Sequence, residues 1–156
     1  MDLEAVKRSL SGGEDGVDKT LTLSLPPKFY NSFVLGGLRV DSIRPGRVLC
    51  SFVVPPRSRA AAGNYLHGGV IATLVDVIGS AAIVSGGHTL TSGVSIDLSV
   101  SHMDAAFVGE EVEIEAKLLN DSKTLGVAAV EIRKKATGKI IAQGRHTKYL
   151  AVSSKL

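Results

Sequence analysis

The sequence predicts an α+β fold in which six antiparallel strands wrap around one long central helix. Between positions 68 and 84 large aliphatic residues recur at helical spacing, and Gly86-Gly87 closes the run. Two strand-like segments precede this helix and four follow it, each alternating or bounded by turn residues. The 156 residues include no Trp and only 4% aromatics against 17 glycines, so the core must be built from Val, Ile, Leu and Ala. Such residues favour strands and close backbone packing. One antiparallel sheet over one helix is the simplest packing of these pieces.

Taken in order, residues 1–27 read as a polar leader, and Pro26-Pro27 bars regular structure at its end. Residues 28–35 can form a short helix before Gly36-Gly37. Residues 38–43 alternate as a half-buried strand, Pro45-Gly46 turns the chain, and residues 48–54 return as a second strand. Pro55-Pro56 ends it, and a small-residue loop over 58–65 leads to the helix. Beyond the helix, strands are predicted over 94–102, 111–119, 125–132 and 140–152, the last two joined by a hairpin turn at Ala136-Thr137-Gly138-Lys139. A single domain over 28–152 follows, with 153–156 as a tail.

Composition narrows the function. A net charge of +3 suits a small anionic ligand, and no basic run interleaved with aromatics calls for nucleic acid. Cys50 stands alone, which excludes an internal disulfide, and its strand-like surroundings read as a buried, inert thiol. The apolar stretch 70–84 contains Asp76 and at 15 residues is short for a bilayer, so no membrane insertion is expected. There is no GxSxG, P-loop, HExxH or CxxC, and His67, His88, His102 and His146 show no metal-ligand spacing. No metal or cofactor is expected. Arg133-Lys134-Lys135 with Lys139 reads as a solvated hairpin end before a phosphate site.

The helix carries the candidate chemistry. Val70, Leu74, Val77, Ile78, Ala81 and Val84 fall on one side and are expected against the sheet. The opposite stripe, Gly69, Ala72, Thr73, Asp76, Gly79 and Ser80, is small and holds one carboxylate. A carboxylate in a groove of small residues needs a partner, a raised pKa or a chemical task. At the helix start, His67-Gly68-Gly69 leaves first-turn N–H groups free, donors suited to an oxyanion.

With those residues in view, Leu66-His67-Gly68-Gly69 followed by Ala72-Thr73-Leu74-Val75-Asp76 resembles the active-site helix of hotdog-fold acyl-CoA thioesterases of the phenylacetyl-CoA thioesterase type. Gly93-Val94-Ser95-Ile96 and the segment 136–148 are similar to the same family. The resemblance implies hydrolysis of an acyl-CoA with no cofactor, in a dimer or a tetramer of two dimers. It assigns the Gly68 N–H to polarising the thioester carbonyl, with His67 in support. Asp76 takes a proton from the attacking water and Ser95 orients that water. His102, Asn120 and Tyr149 match positions that contact substrate or CoA, although His102 stands where an aromatic is usual. The family's Asn, six residues before the glycine-flanking histidine, is Ala61 here, and Asn64 is the nearest amide that could replace it. A non-catalytic acyl-CoA binder and a hotdog dehydratase are the rival readings. Ser154-Lys155-Leu156 has the form of a peroxisomal address, with the cytosol as the alternative.

Overall fold

The computed structural model describes residues 29–88 and 93–150. The leader at 1–27 and the tail at 153–156 lie outside the described residues, as does the end of the last predicted strand. The elements are α1 (Phe29–Leu35), β1 (Arg39–Arg44), β2 (Arg47–Val53), α2 (Gly68–Ser85), β3 (Val94–His102), β4 (Glu111–Asp121), β5 (Leu125–Lys134) and β6 (Ile140–Tyr149). A compact body begins at Val34.

The strands form one sheet in the order β1-β2-β4-β5-β6-β3, with every neighbouring pair antiparallel. Two tight turns depend on glycine in the left-handed region, Gly46 at φ 71° and Gly138 at φ 73°. The crossover that contains α2 sends β3 to the far edge, beside β6, so β1 and β3 are the two edge strands.

The sheet folds its apolar side over α2. Val112, Ile114 and Ala116 of β4 and Ala128, Val130 and Ile132 of β5 meet Ile71, Leu74, Val75, Ile78, Ala82 and Ile83 in one core. Glycine allows the close approach: a Cβ on Gly144 would stand 2.6 Å from Val75 Cγ1, and one on Gly126 would stand 2.6 Å from Ile83 Cγ2.

Two expectations are corrected. The helix is rotated relative to its predicted face: Val70, Val77, Ala81 and Val84 are only partly buried, while Ile71, Val75 and Ile83 are buried. The reason is Gly79, which belongs to the packed side, where a Cβ would lie 3.2 Å from His146 Cβ and 3.3 Å from Val130 Cγ2. Second, β1 is not half-buried, because it is an edge strand with Val40 57% and Ile43 61% exposed. The apolar helix runs to 18 residues, and among the described helices it is the one long and apolar enough to cross a membrane. Half of that span is buried inside the protein, as expected of a core helix.

Cys50 is buried, and burial followed by the nearby Asp41 carboxylate pushes its thiol up to about 11, which makes it a poor nucleophile. The basic cluster is neutralised locally. Arg133 pairs with Glu113, Glu115 and Glu131, Lys134 with Glu110, Lys135 with Glu111 and Lys139 with Asp104.

Candidate active site

The start of α2 is built by His67. As N-cap it accepts a hydrogen bond through Nδ1 from the Gly69 N–H at 2.9 Å, and its carbonyl accepts from Val70 and Ile71. Among the described residues nothing accepts from the Gly68 N–H. His67 thus satisfies the neighbouring donors and leaves the one at Gly68 open. The His102 ring lies over it, since a Cβ on Gly68 would be 3.4 Å from His102 Cε1. Gly68 and His102 line a cleft of about 360 Å³ together with Tyr65, Leu66, Ile71 and Met103. This cleft is largely apolar, with Gly68 at its wall. A second cleft, of about 560 Å³, adjoins His67 and includes Ala61. Asn64 lines neither cleft; its side chain is exposed and its carbonyl accepts from Val108 N–H at 2.9 Å.

The second cluster is centred on a residue the sequence reading passed over. His146 on β6 is fully buried, and its Nε2 lies 2.7 Å from Ser95 Oγ and 3.4 Å from Asp76 Oδ1. Ser80 Oγ stands 3.5 Å from its Nδ1. Burial lowers the His146 pKa below its ordinary 6.5, and the Asp76 charge offsets only part of that, so the ring is neutral at pH 7. Asp76 keeps 46% of its side chain exposed, with one oxygen directed at the imidazole. A held, half-exposed carboxylate can accept a proton from a water molecule.

Ser95 reaches this cluster through an irregularity in β3. The register with β6 shifts between Ser95 and Asp97. Leu98 pairs with the inward His146, so simple alternation would turn Ser95 outward. The bulge reverses the alternation and aims the hydroxyl at His146.

Within one chain the predicted residues separate into two groups. Gly68, His67 and His102 sit at the start of α2, whereas Asp76 and Ser95 meet the unpredicted His146 further along it. Tyr149 pairs with Val94 beside the Ser95 end of β3, and Asn120, exposed on β4, pairs with Val127, itself paired with Thr147. Eight residues between Gly68 and Asp76 correspond to about 12 Å of helix. Seven residues from Ser95 to His102 correspond to about 23 Å of strand.

His146 had a legible signal. Ala142, Gly144 and His146 occupy alternate positions of β6, so a polar ring falls in an inward-facing row of small residues. A search for metal spacing does not detect it, because its partners, Ser95 and Asp76, are 51 and 70 residues distant in sequence.

The sheet order, the single enclosed helix and an open donor with a carboxylate further along that helix define a hotdog-fold protein. Residues 63–141 match the Thioesterase superfamily. The chain is 44% identical over 117 residues to human acyl-coenzyme A thioesterase 13, covering 75% of this chain and 82% of the relative. The zebra fish thioesterase superfamily member 2 structure aligns with a TM-score of 0.74 and 40% identity over 83% of this chain and 91% of that one. The mouse thioesterase superfamily member 2 structure aligns at 0.72 and 37%, covering 85% and 96%. This chain belongs to the thioesterase superfamily.

Proposed function

We propose that the protein hydrolyses acyl-CoA thioesters to the free acid and CoA. The observation that carries this reading is the Asp76–His146–Ser95 cluster: a half-exposed carboxylate held by a buried neutral imidazole, beside a hydroxyl. Asp76 is the general base toward water, Ser95 orients that water, and the Gly68 N–H receives the oxyanion. His67 supports the donor, and the cleft at His102 accepts the thioester arm. By the resemblance, Asn120 and Tyr149 contact substrate or CoA; Asn64, which lines neither cleft within one chain, would do so only across the proposed dimer. The named relative, at 44% identity, supports the acyl-CoA substrate class. Nucleic acid has no part in the reading.

Because one chain separates donor from base, the active form is at least a dimer, with a dimer of dimers as the fuller assembly. The edge strand β3 supports this, since Val94, Ile96 and Leu98 are 64%, 57% and 40% exposed along an unpaired edge that a second copy would cover. Thiol release from acetyl-, octanoyl- and phenylacetyl-CoA tests the function. We expect turnover of at least one, and binding without release from all three would favour the rival reading of a non-catalytic binder, consistent with Ala61 in place of an amide.

The proposed location is the peroxisome, read from Ser154-Lys155-Leu156, with a role in fatty-acid metabolism. Deleting those three residues is expected to leave hydrolysis intact and to abolish peroxisomal import; import that persists would assign the protein to another address.

A further inference from the structure

Gly68 and His102 line the same cleft, and each has a hydrogen-bonding group without a partner among the described residues. His102 is the last residue of β3. It pairs with the buried Ala142 of β6, which turns its side chain to the α2 side of the sheet. The next residue pins the strand end, since the Met103 N–H donates to the Ile141 carbonyl at 2.8 Å. The imidazole is exposed, so its nitrogens are open to a ligand.

The other polar groups of the cleft are placed differently. Asp104 is paired with Lys139 at 2.9 Å, and the Tyr65 ring meets Phe107 edge-on. Neither Ala61 nor Asn64 lines this cleft, so no amide side chain reaches it from the preceding loop. The distances suit a pair of donors. His102 Nε2 is 3.8 Å from the place a Cβ on Gly68 would take, and that place is about 2.5 Å from the Gly68 nitrogen. The two nitrogens therefore stand within about 6 Å of each other. Two N–H groups that share one oxygen at about 2.9 Å each stand no further apart than that.

We propose that His102 is a further catalytic residue, whose Nε2–H shares the thioester oxyanion with the Gly68 N–H. Water, giving its proton to Asp76, forms the new C–O bond, and the carbonyl π pair moves onto the oxygen held by the two donors. That pair returns as the C–S bond breaks and CoA leaves as the thiolate. His102 keeps its proton throughout, so its contribution is charge stabilisation. Both donors belong to one chain, and the base of the proposed dimer comes from the other. This rests on the hydrolase reading for its kinetic arm only.

The test compares His102→Phe, which keeps a ring and removes the donor, with His102→Gln, which supplies an amide N–H. Each is made in the full-length protein and assayed with whichever of acetyl-, octanoyl- and phenylacetyl-CoA the wild type hydrolyses fastest. His102→Phe should lower kcat by about 100-fold with KM little changed, the usual effect of losing one oxyanion donor. His102→Gln should recover part of that loss, and Tyr65→Phe should cost less than His102→Phe. The second arm uses a ketone analogue of octanoyl-CoA, with CH2 in place of the thioester sulfur and 13C at the carbonyl. Its carbonyl resonance should move downfield on binding the wild type, less on binding His102→Phe, and more again with His102→Gln. That arm needs no turnover, so it separates failure of this proposal from failure of the hydrolase reading. Equal displacement with wild type and His102→Phe, or none with wild type, would overturn it. So would a raised KM with unchanged kcat in His102→Phe, which would make the ring a wall of the cleft. A larger loss in Tyr65→Phe would move the donor to the tyrosine, and His102→Gln no faster than His102→Phe would assign the imidazole to proton transfer.

Discussion

Replacing Asp76 with Asn is expected to lower kcat by about 100-fold or more, close to 3 kcal/mol of barrier, while substrate binding is largely retained. The substitution is nearly isosteric, and Asp76 is half exposed and not part of the packed core, so the fold should survive. The amide can still approach His146 Nε2, but it cannot take a proton from water. Steady-state kinetics with a thiol reporter measure the effect, and circular dichroism checks the fold. A decrease of less than about threefold in a folded protein would remove Asp76 from the reaction. Ser95→Ala provides the internal control. In the proposed mechanism Ser95 orients the water and does not accept the proton, so its loss should cost less than the loss of Asp76, and the opposite order would show that the two roles are reversed.

The second large effect is recovery of activity from two inactive proteins. A thioester carbonyl and its attacking water must lie within about 3–3.5 Å of one another. Gly68 and Asp76, about 12 Å apart along α2, cannot both serve that pair from the same chain. Two chains related by a twofold axis, with antiparallel helices, can bring Gly68 of one to Asp76 of the other. Asp76→Asn and Gly68→Val should each be inactive alone. The valine is chosen to obstruct the cleft, because a single Cβ at position 68 already comes within 3.4 Å of His102. With random exchange, about half the dimers are mixed and each contains one intact site, so about a quarter of wild-type activity should return. If native mass spectrometry shows mixed dimers and activity stays at zero, the site lies within a single chain and the role given to Gly68 or Asp76 is wrong.

Much of this architecture is legible in the sequence, because it depends on local pattern. Residues 94–102 form β3 with the predicted boundaries, and α2 begins at the predicted glycine and ends one residue beyond the predicted Val84. What local pattern cannot convey is position within the sheet. The alternation of residues 38–43 gives a strand, but its burial depends on lying at an edge, which only the strand order reveals. The rotation of α2 was hidden for a related reason: a glycine such as Gly79 reads as open space in sequence, yet here it permits contact with His146. The donor at Gly68 and the carboxylate at Asp76 were legible because each lies on one helix. His146 and the bulge that turns Ser95 inward are products of register between distant strands, and no short window contains them.

In the proposed dimer, the division of donor and base between the ends of α2 also affects how the assembly responds to its surroundings. A substrate that touches Gly68 of one chain and Asp76 of another binds the associated form and not the separated chains. By mass action it holds the chains together, contributing about 2.7 kcal/mol per site when its concentration is 100 times its dissociation constant. Diluted protein without substrate would expose Val94, Ile96 and Leu98 along β3 and lose both sites at once, whereas the same protein in substrate would keep its edge covered. The supply of thioester would then regulate how much enzyme exists in assembled form as well as how fast each site turns over.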